Sequence, residues 1–343
     1  CPERGLRSSR FDDLYYAANA GAEESAHVFI HGNRLRERFS QLFKDHQHAG
    51  ESQSRQKSYF TIAETGFGTG LNFVVACKHW LSARANLSSA KAPCLYYFAT
   101  ERYPLTAPAM RWAWAQYNPL PDISAEFLTQ YVNPHGAGQT LSLYGGSVKL
   151  CILYGSSDEA LTQLPSYPVG CELDKLTVDA WFLDGFAPSV NPDMWQDTVM
   201  AHIGRLSVTG STVATFSVAR AVKDGLKQAG FALEKTPGFG KKREMLRGRM
   251  MTAAIDSASS QTTANVYYSR SSVQPTTSNK TVVVIGAGIA GCTVANSLAS
   301  RGWKVDLIER GAHLAYAASG NTQVVLHQKA TANRSELNDF HTL

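Results

Sequence analysis

From about residue 59 onwards, short apolar runs alternate with longer stretches of helical periodicity. The short runs predict strands at YFTIAET, CLYYFATE, KLCILYG, VDAWFLDGF and GSTVATFS. The stretches between them predict helices at LNFVVACKHWLSA, RWAWAQYN, DTVMAHIGRLSV and VARAVKDGLKQAG, and Gly230 closes the last of these. Strands that alternate with helices indicate an α/β fold, in which crossover helices cover a doubly wound sheet.

A polar stretch separates this region from a second strand–helix–strand pattern that begins with TVVVIG. Residues 255–280 are rich in Ser, Thr and Asn and lack aliphatic periodicity, so we predict a linker there. The predicted domains are therefore 1–254 and 281–343. The second is short for a domain, with room for one βαβ unit and a loop. Because the chain begins with Cys1 and ends soon after this unit, we expect a fragment of a longer protein.

The composition narrows the function only slightly. A chain of 343 residues with 44% hydrophobic and 18% charged residues is typical of a globular protein, and its net charge of +5 suits an acidic partner such as RNA as well as many ordinary enzymes. The six cysteines form no CxxC pair, which predicts reduced thiols in a cytoplasmic protein. We expect no metal site, no membrane span and, without a heptad pattern, a monomer.

A glycine-rich loop, TGFGTG, follows the first of these strands. The spacing G-x-G-x-G lacks the Lys-Ser/Thr ending of a phosphate-binding loop, and the acid before it would repel a pyrophosphate. An acid suits a cationic ligand such as S-adenosylmethionine, and a second acid at the end of the next strand can bind two ribose hydroxyls. The alternative is a generic glycine turn with a solvated acid. The predicted cofactor-binding residues here are Glu64, Gly66, Gly68, Gly70, Asn72 and Glu101.

A second acidic strand end lies in VDAWFLDGFAPSVNPDMW. Methyl transfer to an amine requires a group that orients the nitrogen and accepts its proton, and Asp184 is suited to both tasks. The ring of Phe186 can face the cationic transition state. Asp184 and Phe186 are therefore the candidate catalytic residues. The alternative is that Asp184 caps a turn and Phe186 belongs to the core.

Two further motifs concern charge and nucleotide binding. The segment GFGKKREMLRGRM contains Lys241, Lys242 and Arg243, which form either a solvated charged end or a patch that contacts nucleic-acid phosphates.

The segment VVVIGAGIAGCTVANSLASRGWKVDLIER has the G-x-G-x-x-G spacing between two strands, followed by an acid suited to an adenosine ribose. This pattern predicts FAD or NAD binding by Gly286, Gly288, Gly291 and Glu309.

These motifs together resemble the MnmC family of bifunctional tRNA wobble-uridine modification enzymes. The resemblance includes NAGAEESAHVFIHGN near the N-terminus, ETGFGTGLNF, ERYPLT, DAWFLDGFAPSVNPDMW, ATFSVARAV, GFGKKREML and AASGN. It implies a Rossmann-like S-adenosylmethionine-dependent methyltransferase domain followed by a partial FAD-binding unit. It further implies that an FAD-dependent half removes the carboxymethyl group of 5-carboxymethylaminomethyl-(2-thio)uridine, and that the methyltransferase half then methylates the exposed amine.

The resemblance also implies roles for the residues already singled out. The first glycine loop and its two acids would hold the methyl donor, Asp184 and Phe186 would line the acceptor pocket, and the second glycine loop with Glu309 would hold FAD. The basic residues Lys241, Lys242 and Arg243 would contact the anticodon stem-loop of the tRNA.

Two departures from the family pattern affect these expectations. In the family, Gly-Asp follows the strand that corresponds to KLCILYG, and its acid helps to bind the adenine end of the cofactor. Here the sequence is Gly155-Ser156-Ser157-Asp158, so either Asp158 takes over with a shifted loop or cofactor affinity is reduced. After the SGN turn, VVLHQ replaces the usual aliphatic-tyrosine-proline stretch, and we expect the oxidase half to be inactive in this chain.

Two rival functions remain open at this level. The first is a methyltransferase that acts on an amine outside tRNA, whose binding would not fall with salt as phosphate contacts require. The second is a non-catalytic module that binds RNA or a nucleotide. In that case, the substitution Asp184→Ala would change nothing measurable.

Overall fold

The computed structural model describes residues 7–8, 11, 13–15, 20–48, 58–85, 92–164, 176–186, 188–240, 242–251, 281–299, 303–315 and 318–320. Contacts between Cα atoms divide the chain into two compact units, Cys1–Ser257 and Ala258–Leu343. The predicted linker at 255–280 lies outside the described residues, and the predicted boundaries of the two domains stay predictions.

The first unit is built around one eight-stranded sheet, and a separate two-stranded ribbon pairs β1 with β2 in antiparallel fashion. The strands of the first unit are β1 (Arg7–Ser8), β2 (Asp13–Leu14), β3 (Tyr59–Thr65), β4 (Cys94–Glu101), β5 (Gly138–Leu143), β6 (Val148–Tyr154), β7 (Val178–Phe182), β8 (Ser207–Thr215), β9 (Phe231–Pro237) and β10 (Glu244–Met250).

Helices connect these strands and cover the sheet. The α-helices are α1 (Gly21–Ser25), α2 (Leu35–His48), α3 (Leu71–Arg84), α4 (Ala107–Gln116), α5 (Pro121–Gln130), α6 (Ser157–Gln163), α7 (Asp197–Arg205) and α8 (Arg220–Gln228). A π-helix (Ala26–His31) continues directly from α1, and a 3-10 helix (Pro192–Trp195) precedes α7. A π-helix is a rare element that is frequently found beside functional sites.

The strand order of the sheet is β5-β6-β4-β3-β7-β8-β10-β9. Strands β6, β4, β3, β7 and β8 are parallel, whereas β5 and β10 each run antiparallel to their neighbours. The chain builds outward from β3 through β4 to β6, and then crosses back to place β7 on the other side of β3. This reversal is the topological switch point of the sheet, and open α/β sheets bind ligands at the carboxyl ends of the strands beside it.

The core lies on both faces of the parallel strands. Successive side chains of β7 alternate between the faces: Trp181 packs in one hydrophobic cluster and Phe182 in the other, and both are fully buried. Trp80 of α3 packs edge-on against Phe39 of α2, which fixes these two helices on the Phe182 face. Burial on both faces explains why the central strands are continuous apolar runs in the sequence.

The predicted α/β fold is confirmed, and most of the predicted elements are present. Two differences concern the end of the first unit. The predicted helix DTVMAHIGRLSV ends at Arg205, and its last residues begin β8 at Ser207. The second difference is that β9 and β10, which were not predicted, form a hairpin, with the Lys242 amide donating to the Phe239 carbonyl at 3.0 Å between them.

The second unit contains one parallel strand pair and one helix. β11 (Thr281–Ile285) pairs with β12 (Lys304–Ile308), and α9 (Ile289–Ala299) connects them. A 3-10 turn (Ala318–Gly320) follows. This arrangement is the predicted βαβ unit. Because no residue of α9 is buried, the described part of this unit leaves much of its apolar surface exposed.

Candidate active site

A cavity of about 1110 Å³ opens at the switch point of the first unit. The carboxyl ends of five parallel strands contribute to its wall, and the N-terminal segment and the β9–β10 turn complete it. The residues that line it include Tyr15, Glu24, Ser25, Gly66, Gly68, Asn72, Glu101, Tyr103, Ser156, Ser157, Asp184, Phe186, Asp193, Phe216 and Lys242. The structure therefore brings most of the predicted residues of the first unit together in one place.

The glycine loop bends sharply away from β3. Gly66, Gly68 and Gly70 have φ angles of 92°, 54° and 75°, which L side chains rarely adopt. The amides of Gly66 and Phe67 both donate to the Thr100 carbonyl at 3.0 Å, and this attaches the loop to the end of β4. A Cβ on Gly66 would lie 2.9 Å from Met194 Cε and 3.2 Å from the Asp184 carbonyl oxygen. Glycine at this position therefore lets the loop pack against Met194 and Asp184, and Gly66 and Gly68 line the cavity with their backbone alone.

Glu101 closes this loop from the end of β4. Its Oε2 accepts the Gly68 amide at 2.8 Å, and its Oε1 accepts the Tyr103 amide at 2.8 Å. Burial raises the pKa of Glu101, while these backbone hydrogen bonds act in the opposite direction. Each carboxylate oxygen has a further lone pair, so the side chain can still accept two ligand hydroxyls. The geometry fits the ribose role that was predicted for it.

Asn72 bridges two carboxylates beneath the loop. Its Nδ2 donates to Glu64 Oε1 at 2.7 Å and to Asp184 Oδ2 at 2.6 Å. Tyr97 donates its hydroxyl to Glu64 Oε2 at 2.8 Å. Glu64 is fully buried and does not line the cavity, whereas Asn72 and Asp184 do. Glu64 therefore supports the site from behind by fixing the Asn72 amide.

Burial changes the acidity of both carboxyls. It raises the pKa of Glu64 well above its usual value, and the nearby charge of Asp184 adds to this effect. Burial also raises the pKa of Asp184 to about 6, whereas hydrogen bonds from Asn72 and the Gly185 amide act to lower it. A carboxyl whose pKa lies near 6 changes protonation close to neutral pH, as a general base does.

Phe186 belongs to an aromatic rim around the cavity. Its ring centroid lies 4.7 Å from that of Phe11 and 5.7 Å from that of Tyr15. Tyr103 extends the rim, with its centroid 5.8 Å from that of Phe11. Phe186 is therefore not an ordinary core residue: its ring faces the cavity, where it can contact a planar or cationic ligand.

Of the three basic residues predicted to contact RNA, the structure shows one at this cavity. Lys242 lines the cavity, donates to Glu24 Oε1 at 2.8 Å and lies 4.2 Å from the Phe216 ring centroid. Arg243 is exposed and does not line the cavity. Lys241 lies outside the described residues. Among the three, only Lys242 therefore has a described position beside the candidate catalytic residues.

Asp158 is not brought to the cavity by the altered sequence after β6. It lies in the first turn of α6, and its Oδ1 is 3.4 Å from His202 Nε2. Ser156 is the N-cap of that helix and forms a capping box with Glu159. Ser156 and Ser157 line the cavity instead, and Ser157 Oγ lies 2.9 Å from Thr100 Oγ1. Hydroxyl groups thus stand where the family pattern implied a carboxylate.

The second glycine loop repeats part of this design. Gly286 has φ 96°, and Glu309 Oε2 accepts the Ala287 amide at 2.7 Å while its Oε1 accepts the Gly311 amide at 2.9 Å. These backbone hydrogen bonds lower the pKa of Glu309. A Cβ on Gly291 would collide with the Gly286 carbonyl oxygen, so close packing of helix on loop requires glycine there.

The small polar turn AASGN supports the start of α9. Ser319 Oγ accepts the Ile289 amide at 3.1 Å, and a Cβ on Gly288 would lie 3.0 Å from the same oxygen. The residue types and backbone geometry of this unit fit a dinucleotide, with Glu309 positioned for the ribose. The VVLHQ segment lies outside the described residues.

Sequence reasoning missed several cavity residues. Glu24 and Ser25 belong to NAGAEESAHVFIHGN, which the resemblance includes but for which no role was inferred. Two neighbouring acids and a serine in a short helix carry no motif that distinguishes a binding site from a solvated face. Tyr15 was also missed, because its position beside Phe186 depends on how the N-terminal segment folds.

The first unit is similar to S-adenosylmethionine-dependent methyltransferases, in agreement with its fold and its cavity. Residues 118–251 match the family described as "S-adenosyl-L-methionine-dependent methyltransferase", and residues 281–341 match the family "FAD dependent oxidoreductase". The cofactors of these two classes are S-adenosylmethionine and FAD. The first match includes Asp184, Phe186 and Lys242, whereas the glycine loop precedes it.

Similarity to individual proteins is more specific. The chain is 43% identical over 337 residues to the tRNA 5-methylaminomethyl-2-thiouridine biosynthesis bifunctional protein MnmC of Pseudomonas fluorescens, covering 97% of this chain and 46% of that protein. It is 40% identical over 336 residues to the protein of the same name from Pseudomonas aeruginosa, covering 98% and 46%. These matches confirm the resemblance to the MnmC proteins, and the chain spans slightly less than half of their length.

A solved structure supports the fold. The crystal structure of MNMC2 from Aquifex aeolicus superposes with a TM-score of 0.52 at 21% sequence identity, covering 72% of this chain and 67% of that one. In the described part of the present structure, no helix has the length and apolar character needed to cross a membrane. Nor do the described residues bring three or more His, Cys, Asp or Glu side chains together as a metal site.

Proposed function

We propose that the first unit transfers a methyl group from S-adenosylmethionine to the primary amine of 5-aminomethyl-(2-thio)uridine at the wobble position of tRNA. The observation that carries this proposal is the Asn72 bridge, which holds Asp184 at the wall of an aromatic-rimmed cavity and links it to the buried Glu64 behind that wall. The product, 5-methylaminomethyl-(2-thio)uridine, carries the modification for which the Pseudomonas relatives are named.

The donor side of the cavity suits S-adenosylmethionine. Gly66 and Gly68 let the ligand approach the backbone closely, and Glu101 offers two acceptors for ribose hydroxyls. The Asp184 carboxyl at the cavity wall suits a cationic group of the cofactor. When bound there, this cofactor supplies an electrophilic methyl group. The Gly155-Ser156 departure does not remove the polar wall, because Ser156 and Ser157 line the cavity.

The acceptor side suits an amine. A nitrogen can attack a methyl group only through its lone pair, so a protonated amine must first lose a proton. Asp184 lies at the cavity wall with an oxygen held by the Asn72 amide, and its carboxylate can accept that proton. Phe186 presents an aromatic ring to the same space and can stabilise developing positive charge.

Placement of the acceptor within tRNA rests on two supports. The relatives are named for tRNA modification, and Lys242 places a cation at the cavity beside the β9–β10 turn. A base that enters a closed cavity must leave its stack, and aromatic side chains such as Tyr15 and Phe186 can receive it. We assign Lys241 and Arg243 a contact with the same RNA, and we retain the expectations of a cytoplasmic monomer.

The second unit has a separate proposed role. By its match to the FAD-dependent oxidoreductases, we assign Gly286, Gly288, Gly291 and Glu309 to the adenosine and pyrophosphate part of FAD. In the longer MnmC proteins, such a domain would remove the carboxymethyl group of the 5-carboxymethylaminomethyl precursor and so produce the amine that the first unit methylates.

The test is transfer of labelled methyl from S-adenosylmethionine to tRNA that carries 5-aminomethyl-2-thiouridine, followed by digestion and identification of the labelled nucleoside. We expect label in the wobble nucleoside and none with the same tRNA that lacks the aminomethyl group. Binding that is insensitive to salt would favour a non-tRNA amine as the acceptor. Bound S-adenosylmethionine without transfer to any amine would favour the non-catalytic module.

The pH dependence of this transfer should report Asp184. Because burial raises its pKa to about 6, the carboxylate form is lost as the pH falls through that value. We expect kcat/KM to decrease about tenfold per pH unit below 6, as for a single essential ionised group. The measurement covers pH 5 to pH 8. The Asp184→Asn variant should transfer methyl much more slowly, and its kcat/KM should no longer decrease at acidic pH. An unchanged limb in that variant would assign the titration to another group.

A further inference from the structure

Ser25 presents an unsatisfied hydroxyl to the cavity. Its side chain is 4% exposed, it lines the cavity, and its Oγ has no hydrogen-bond partner among the described residues. Buried polar groups in native proteins are nearly always paired, so an unpaired one beside a ligand cavity indicates a group that arrives with the ligand. Ser25 is the last residue of α1, at the junction with the π-helix.

Glu24 precedes Ser25 and lines the same cavity. Its side chain is 17% exposed, and its Oε1 accepts the Lys242 ammonium at 2.8 Å. Glu24 also lies near the candidate base: after burial and the hydrogen bonds of Asp184, the charges of Lys242 and Glu24 are the next influences on the pKa of Asp184, in opposite directions. Besides Asp184, the cavity therefore holds the carboxylate of Glu24, which is already paired with a primary ammonium.

Lys242 is part of a turn and not of a helix or strand. It lies between β9 and β10, its side chain is 47% exposed, and its Nζ lies 4.2 Å from the Phe216 ring centroid. Lysine is a flexible side chain that ends in a point charge, so it can exchange one anionic partner for another at small cost. An RNA phosphate at the cavity mouth would be such a partner.

We propose that Glu24 and Ser25 form the subsite that receives the cationic amine of the acceptor, and that Lys242 occupies this subsite in the free protein. This inference rests on the proposed function, since it names the residues that select the acceptor. On binding, the substrate ammonium takes the place of Lys242 at Glu24, the Ser25 hydroxyl accepts a further hydrogen bond, and Lys242 turns to an RNA phosphate. Asp184 remains the base, and Glu24 is a specificity residue.

The exchange explains how the site can discriminate between nucleosides. A uridine with the aminomethyl group replaces one cation by another, so Glu24 stays paired throughout. A uridine without the amine cannot displace Lys242, and a neutral substituent would replace the cation at the partly buried Glu24 carboxylate by a group without charge, which is unfavourable. Selection therefore depends on the charge of the substituent and not only on its size.

The experiment compares two tRNAs that differ only at the wobble position, one with 5-aminomethyl-2-thiouridine and one with 2-thiouridine. Equilibrium binding and steady-state methyl transfer are measured for the whole chain, for Glu24→Gln and for the matched control Glu23→Gln, whose side chain is exposed and does not line the cavity. We expect Glu24→Gln to raise KM for the aminomethyl tRNA about 10- to 100-fold, as expected for loss of a charged hydrogen bond. The kcat should change less than about threefold, and binding of the amine-free tRNA should not weaken.

Ser25→Ala provides a second readout that a structural role cannot imitate. Because this change removes an unpaired buried hydroxyl, the melting temperature should stay the same or rise, while KM for the aminomethyl tRNA rises about three- to tenfold. A lower melting temperature with unchanged KM would overturn the role of Ser25. Equal weakening of both tRNAs by Glu24→Gln, or no effect on either, would overturn the subsite.

The two proposals fail in different ways. If the unaltered chain transfers no methyl to the aminomethyl tRNA, the proposed function fails, and the binding measurements still decide whether Glu24 recognises the amine. If transfer occurs and Glu24→Gln behaves like Glu23→Gln, the proposed function stands and the subsite is rejected.

Discussion

Replacement of Asp184 by Asn should lower the rate of methyl transfer by about 10²- to 10⁴-fold, the usual contribution of a general base. The amide cannot accept a proton from the acceptor amine, although it has nearly the same shape as the carboxylate. The change also removes the charge that Asn72 bridges to Glu64. Because the glycine loop and Glu101 are untouched, S-adenosylmethionine should still bind.

Single-turnover transfer and calorimetric binding of S-adenosylmethionine separate these effects. Asp193→Asn is the matched control, because Asp193 also lines the cavity but is half-exposed and paired with Arg102 at 2.7 Å. We expect that control to retain most of the rate. A fully active Asp184→Asn variant would mean that water or another side chain removes the proton.

Replacement of Glu101 by Gln should reduce the affinity for S-adenosylmethionine by about 100-fold or more, since each charged hydrogen bond contributes about 1.5–3 kcal/mol. The carboxylate accepts two backbone amides and retains lone pairs for two ribose hydroxyls. A glutamine presents an NH₂ group towards either Gly68 N or Tyr103 N, so it loses one backbone contact and one ribose contact together.

Titration calorimetry with S-adenosylmethionine measures this loss. Glu126→Gln is an informative control, because Glu126 Oε1 also accepts a backbone amide, that of Tyr144 at 2.8 Å, but does not line the cavity. We expect a reduced melting temperature for that control with unchanged affinity. If Glu101→Gln binds the cofactor normally, the ribose lies elsewhere in the cavity.

Local pattern was sufficient to predict the five parallel strands of the sheet and the centre of the site, but not β5, β9 and β10. Strand ends are marked by a change from apolar to small and acidic residues, and the carboxyl ends of parallel strands meet at one edge. Glu101 and Asp184 could therefore be placed near the glycine loop without coordinates. The bridge through Asn72 could not, because it depends on which rotamers pack together under the loop.

The remaining features depend on long-range contacts. Lys242 reads as part of a solvated basic run, and only the pairing of β10 with β8 and β9 brings it to the cavity. From the sequence, Asp158 is a possible substitute for the acid of the family pattern. In the structure, Ser156 caps α6, and Asp158 lies in the first turn of that helix, where its side chain faces His202. The place of Glu24 and Ser25 depends on α1 packing against α3, across a stretch without a regular pattern.

The acids Glu101 and Glu309 make the same kind of backbone hydrogen bonds in the two units. Each accepts one amide from its own glycine loop and one amide two residues downstream. The two proposed cofactors both contain adenosine, and they differ only in the groups attached to it. An inhibitor based on adenosine alone should therefore compete in both halves of a full-length relative. Selective inhibition of methyl transfer would require a positive charge beyond the ribose, because the Asp184 carboxyl at the wall of the first cavity has no counterpart among the described residues of the second unit.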